Sequence, residues 1–439
     1  MGGRLTYPRT MDPNSVTGVG PDTLVPLLLR YAARFHAAIP PGHHIASPLG
    51  AWVLLALVGT ASMRGSDERT EIEEALGCDV AAAAAYASVL LTSPHPDVAA
   101  AAASWVDPSV ATPALTDWRA SLPAAVGTGP VPSQAVADAW TREHTLGLIK
   151  QFPLDLETEP PLFVLSTALA TKVEWHEPLV VTGSFDLGGG PFADLVGHAL
   201  RTPGIGTGHR AWIAPTDGHE DIGDVVVHAA DAGNGLRVVS VVGVRAAPPQ
   251  QVIATAGRIA AEVQPTARSL FDLELGTGPL WTITERRERV RGGLARQERV
   301  LDATLPSWSS RSVHELLGRP SLGFDGAVRA VARLLGLGGF RADAKQVAVA
   351  RYHRDGFEAA AVSMMAVGAS FVREAEVEAV IREAHLRFPH PYAVVAVAVD
   401  TRDPWGEPTS AGEAISPWAG LPVFSGWVAE VEEPDDQAI

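Results

Sequence analysis

A chain of 439 residues, 46% of them hydrophobic, carries enough apolar side chain for one large core, and no Pro/Gly/Ser linker divides it. The formal net charge of −16 argues against a nucleic-acid partner, because phosphate binding needs a basic face. The apolar run Ala51 to Ala61 is too short to cross a bilayer comfortably and reads as a buried helix, so no membrane partner is expected.

Taken in order, the first element is a helix capped by Asp22. Val25, Leu28, Leu29, Ala32 and Phe35 recur in it at helical spacing, and Pro26 falls in its first turn. Ser66 and Asp67 can cap a polar helix after the buried one. Cys78 is the only cysteine, so no internal disulfide can form, and its neighbour Asp79 does not favour a thiolate. The run beginning Leu162-Phe-Val-Leu and ending at Trp175 is apolar on both faces at its start, as an interior strand requires. Val225–His228 and Arg237–Gly243 read as strands joined around Asn234-Gly235, a strong hairpin signal. Arg286, Arg287, Arg289, Arg291 and Arg296 crowd together; a solvated hairpin or helix face accounts for them better than a polyanion site. Lysine is confined to Lys150, Lys172 and Lys345, which reads as the codon bias of a GC-rich, bacterial genome.

The most informative stretch is the long connection between two strand-like runs, Gln346–Tyr352 and Tyr392–Val399. Compact domains rarely carry such a link unless it is functional. Its opening, Gly356–Ser363, reads alone as an Ala-rich helix or as an alternating strand. In the strand, Phe357, Ala359, Ala361 and Ser363 share one face, and Glu358, Ala360, Val362 and Met364 the other. Glu374 to Leu386 has helical spacing at Val377, Val380, Ile381 and Ala384, which predicts a partly helical second half.

Enzyme chemistry finds little support. There is no Gly-x-Ser-x-Gly elbow and no phosphate-cradling loop. Ser47 stands too close in sequence to His43 and His44 for a triad, and His176 and His353 read as polar edge residues. His219-Glu-Asp221 lacks a second ligand cluster. No catalytic residue, metal or cofactor is expected. Met1 to Pro8 lacks the apolar core of a secretion signal, so cytoplasmic residence is the default expectation.

Five blocks, in order, resemble landmarks of the serpin family. They are His44–Leu57 with Gly65–Gly77; Ala139–Pro153 with Leu162–Leu179; Leu301–Trp308; the hinge-like Gly356-Phe-Glu-Ala-Ala-Ala; and Phe388–Tyr392 with Leu421–Val428. Together they span roughly residues 22 to 431. The resemblance implies an α+β fold with one large mixed sheet, two smaller sheets and eight or nine helices. It implies an N-terminal tail over 1–21, a single domain over 22–431 with a reactive loop at about 356–387, and an acidic tail over 432–439. It also implies a monomeric inhibitor of a serine or cysteine protease, whose loop is cut, inserts as a new strand and traps the protease covalently; a non-inhibitory binding protein of the same fold is the alternative. The hinge would be Gly356, Phe357, Glu358, Ala359, Ala360, Ala361, Val362 and Ser363. The scissile bond would be Ser370-Phe371 or Arg373-Glu374. Ser47, Thr167, Trp175 and Gln346 would mark the region where the large sheet opens. Several positions depart from the family: Thr167 replaces an Asn, Gln346 a His, Gly50 a Ser, and Phe357 the hinge Thr. Thr167 and Gln346 are expected to weaken polar links between strands, and Phe357 to slow insertion.

Overall fold

The computed structural model describes residues 21–158, 160–204, 207–216, 221–233, 235–262, 265–291, 294–337, 342–357, 376–399 and 416–434. In chain order these form α1 (Pro21–Ala38), β1 (His44–Ala46), α2 (Pro48–Gly59), α3 (Asp67–Leu76), α4 (Val80–Thr92), β2 (Val98–Val106), α5 (Pro113–Ser121), β3 (Val126–Pro130) and α6 (Gln134–His144). The middle of the chain supplies β4 (Phe163–Thr171), β5 (Val173–Glu174), β6 (Val180–Gly183), β7 (His198–Arg201), β8 (His209–Ala214), β9 (Val225–Ala232), β10 (Leu236–Val242) and α7 (Pro249–Ala261). Then come β11 (Gly276–Thr277), β12 (Trp281–Arg291), β13 (Arg296–Leu305), β14 (Trp308–Glu315), α8 (Phe324–Leu334) and β15 (Lys345–Tyr352). The last are β16 (Gly356–Phe357), β17 (Glu376–Arg387), β18 (Tyr392–Ala398) and β19 (Pro422–Val428).

Local chemistry explains the helices that frame the centre. Ser47 caps α2, its hydroxyl accepting from the Gly50 amide at 3.2 Å, and Pro48 takes the first helical position, where no amide is needed. Nearly every α2 residue is buried, as expected of a helix apolar on all sides. Ser66 caps α3, Gly77 closes it in the left-handed conformation, and Asp79 caps α4.

One six-stranded sheet runs β1-β19-β18-β10-β9-β8. Helix α7 covers one face of it through Val252, Ile253, Ala256 and Ile259. The other face joins the main core around Trp52, Leu55 and Leu57 of α2. A second six-stranded sheet runs β11-β12-β17-β13-β7-β6. The large sheet implied by the sequence is present in two parts, β3-β2-β4 and β14-β15, joined at one end by the short pair β5-β16.

Four expectations are corrected. Helix α1 begins at Pro21, so Asp22 sits inside its first turn instead of capping it, and Pro26 lies deeper in the helix. Glu376–Arg387 is a strand, not a helix: it is paired on both sides, and that pairing overrides a spacing compatible with either period. The exposed loop expected at about 356–387 therefore loses its first two and last twelve residues to strands. The folded unit also continues past 431. The Glu432 amide bonds the Ser307 carbonyl at 2.9 Å, and the Glu433 carboxylate accepts from the Gly197 amide.

Candidate insertion cleft and loop hinge

Strand β4 pairs with β2, and β15 pairs with β14. Their other edges face one another across a cleft of about 890 Å³. Leu165, Thr167 and Leu169 form one wall, Gln346 and Val347 the other, and Leu54 and Val58 of α2 the floor. Backbone donors and acceptors along such edges need partners, so two facing edges form a template for one more strand.

The polar residues at the lip are tied downward. Gln346 grips the Ser47 backbone twice: Oε1 accepts from the Ser47 amide at 2.9 Å, and Nε2 donates to the Ser47 carbonyl at 2.7 Å. The Thr167 hydroxyl donates to the Gly50 carbonyl at 3.0 Å. The Ser47 hydroxyl donates to the Val423 carbonyl at 2.8 Å. Residues 47, 167 and 346 thus meet at the first turn of α2. The substituted Thr and Gln each fasten one sheet half to the helix beneath.

At one end of the cleft the chain has already turned in. After β15 it reverses through residues 353–355, and the His353 amide donates to the Gly356 carbonyl at 3.1 Å. Strand β16 then runs antiparallel to β5, with Gly356 opposite Glu174 and Phe357 opposite Val173. A side chain at 356 would collide with the Val173 carbonyl oxygen and lie 2.8 Å from Glu174 Cα, so this close approach requires glycine. Phe357 is buried, edge-on to Trp308 with ring centroids 6.4 Å apart. The void beside it is about 10 Å³, no larger than roughly one water needs. Phe357, expected to slow insertion, has a close-fitting seat at this position.

That seat rests on an aromatic and histidine stack. Tyr352 lies 5.1 Å from Trp175 and 6.1 Å from Trp308, centroid to centroid. Its hydroxyl lies 3.4 Å from His228 Nδ1, and His228 Nε2 lies 3.1 Å from His209 Nδ1. His209 Nε2 lies 2.8 Å from the Glu177 carbonyl. A carbonyl only accepts, so His209 carries its proton on Nε2. Then His228 donates from Nε2, and its bare Nδ1 accepts from Tyr352. Burial, reinforced for His228 by His209, holds both imidazoles below their ordinary pKa.

No family sequence model matches the chain, and no curated sequence matches it significantly. Solved structures do. Tengpin, a thermophilic serpin, in its native state matches over 97% of this chain and 96% of its own, with a TM-score of 0.54 at 10% identity. Human glycosylated kallistatin matches over 95% and 98%, with a TM-score of 0.57 at 14% identity. The chain has the serpin fold. Thyroxine-binding globulin in complex with thyroxine matches as well, over 94% and 100%, with a TM-score of 0.57 at 13% identity.

Within this serpin fold, the sequence-predicted residues separate into three groups. Ser47, Thr167 and Gln346 line the cleft together, while Trp175 sits at its hinge end and donates from Nε1 to the His353 carbonyl at 3.1 Å. Gly356 and Phe357 form β16. Glu358, Ala359, Ala360, Ala361, Val362 and Ser363, with Ser370, Phe371, Arg373 and Glu374, lie outside the described residues. The sequence reading missed Tyr352, His228 and His209, which come from three strands and carry no local motif. His43, His44 and Ser47 do not form a triad. His43 faces the Ser309 carbonyl, His44 the Gly42 carbonyl, and Ser47 the Val423 carbonyl. Burial, together with Asp79 and Glu73, pushes the Cys78 thiol up to about 11, away from reactivity.

Proposed function

We propose that this protein inhibits a serine or cysteine protease by offering the segment after Phe357 as bait and drawing the cut segment into the cleft as a new strand. The observation that carries this reading is the pair of facing strand edges with β16 already seated at one end. Continuing the β16 register would set Ser363 opposite Thr167 and Val367 opposite Phe163, the first residue of β4. Phe357 faces inward, so the same alternation turns Ala359, Ala361 and Ser363 toward the floor, where small residues suit a narrow space. A strand reaching Val367 needs a cut beyond that point. Ser370-Phe371 satisfies this, with Arg373-Glu374 as the second candidate.

The test is to treat the protein with chymotrypsin-like and trypsin-like proteases. An adduct that survives denaturing electrophoresis, and a melting temperature raised sharply after cutting, are the expected results. Clean cutting with neither sign would favour the second reading, a non-inhibitory binding protein, for which the likeness to thyroxine-binding globulin is the support.

A further inference from the structure

Beneath the hinge, one row of hydrogen bonds ties the first six-stranded sheet to the β14–β15 pair. His209 is the first residue of β8, His228 lies in β9, and Tyr352 ends β15. The row runs from the Glu177 carbonyl through His209 and His228 to the Tyr352 hydroxyl, with steps of 2.8, 3.1 and 3.4 Å. Because it starts at a carbonyl, each imidazole spends its single proton as a donor toward that carbonyl, and each bare nitrogen accepts from the next group. Among the described residues the row holds no spare acceptor. A proton added at His209 Nδ1 would face the Nε2 proton of His228, donor against donor. Tautomer exchange in His228 would only pass the conflict on, setting its Nδ1 proton against the Tyr352 hydroxyl. His228 and Tyr352 are fully buried and His209 is 8% exposed, so His209 is the point of entry for a proton.

The charges around the row do little to accommodate that proton. Asp231 of β9 favours it, but Asp231 already pairs with Arg237 and Arg210. His176, beyond β5, opposes it. Glu177 is exposed and contributes its carbonyl, and Tyr392 of β18, facing Tyr352, is held neutral by burial. His353 and Asp355 lie on the turn itself. Tyr352 carries the effect to the hinge. The turn that follows it is held by the Trp175 amide on the Asp355 carbonyl at 3.0 Å and by the Leu179 amide on the Arg354 carbonyl at 2.8 Å. Trp175 also stacks on Tyr352, and Trp308 lies between Tyr352 and the Phe357 ring.

We infer that the His209–His228–Tyr352 row is an acid-released latch on the β15–β16 turn: at neutral pH it keeps Phe357 seated beside β5, and a proton taken up on either histidine frees the turn while the rest of the fold persists. The latch goes beyond the proposed function, since it sets the position of the loop's first residues whatever partner the loop meets. Hydrogen exchange read by mass spectrometry tests it in peptides covering residues 173–179 and 353–357, with rates corrected for the intrinsic pH dependence of exchange. Release linked to one proton raises the opening equilibrium about tenfold for each pH unit below about 6.5. Those peptides are therefore expected to lose about tenfold in protection between pH 6.5 and 5.5, while peptides of α2 keep theirs. A glutamine amide donates and accepts but takes up no proton, so His228→Gln is expected to stay protected at pH 5.5, with His209→Gln as the second variant should the first fail to fold. His44→Gln, outside the row, should keep the wild-type step. Tyr352→Phe removes the last bond and should leave the same peptides unprotected at pH 7 as well. Four results would each overturn the latch: wild-type protection that holds to pH 5.5, a loss shared equally by α2, the wild-type step in the folded glutamine variant, or full protection of Tyr352→Phe at pH 7.

Discussion

Gly356 is the residue on which the hinge geometry turns. Any Cβ there meets the β5 backbone, so Gly356→Ala should unseat β16 at a cost of roughly 1–3 kcal/mol, the usual penalty for overfilling a packed site. Thermal unfolding should show a lower melting temperature than Gly127→Ala, where the nearest atom to an added Cβ is 3.7 Å away. Equal melting temperatures for the two variants would mean that β16 is not held as described. A second residue-scale consequence concerns acid. His36 Nδ1 lies 3.0 Å from His44 Nε2, His36 Nε2 lies 2.7 Å from the Ser425 hydroxyl, and His314 Nε2 lies 2.8 Å from the Ile45 carbonyl. Burial first, then His314 and His43, pushes His44 down to about 4 from 6.5. The unfolded chain therefore takes up a proton on this residue before the folded one does, and stability falls as pH drops through that window. His44 alone contributes a loss of about 3 kcal/mol at pH 4, at 1.36 kcal/mol per unit. His36, His209, His228 and His314 act in the same direction. Melting temperature should drop between pH 6.5 and 4, and less steeply in His44→Gln; a flat profile would contradict this.

At the scale of elements, the insertion register makes a sharp prediction. Ser363→Arg would bring a charge inward opposite Thr167, and a buried unpaired charge costs several kcal/mol. That variant should be cut as fast as the wild type yet form no adduct and gain no thermal stability. If it traps protease normally, the register is wrong. What was legible in the sequence follows the same division of scale. The capped helix α3 and the β9–β10 hairpin were readable because their signals are local: Ser before Asp, Asn before Gly. Strand β2 was not: Ala99–Ala103 is a run of the best helix former, held extended by β4 along its whole length and by β3 from Ala102 onward. Strand β17 failed for the same reason, because its partners are brought in from elsewhere in the chain. From sequence alone, Thr167 and Gln346 imply lost links between strands. Their actual partners, Gly50 and Ser47, lie on a helix far away in sequence, which no local pattern reveals.

For the whole molecule, the short strand β1 carries a consequence for how the chain reaches this state. His44, Ile45 and Ala46 pair with Trp427, Gly426 and Ser425, so residues near one end close against residues near the other. Strand β1 is also tied to β14, through the bond from the Ile45 amide to the Ser312 hydroxyl at 3.0 Å. Loop-closure entropy for such distant pairings is spent before they return any stability, so topologies of this kind fold slowly and through intermediates. During synthesis β1 and the start of α2 must wait for β19 to emerge, with the apolar surface around Ile45 and Leu49 uncovered meanwhile. Refolding from denaturant should therefore show a slow, concentration-sensitive phase in which the β1–β19 amides gain exchange protection last.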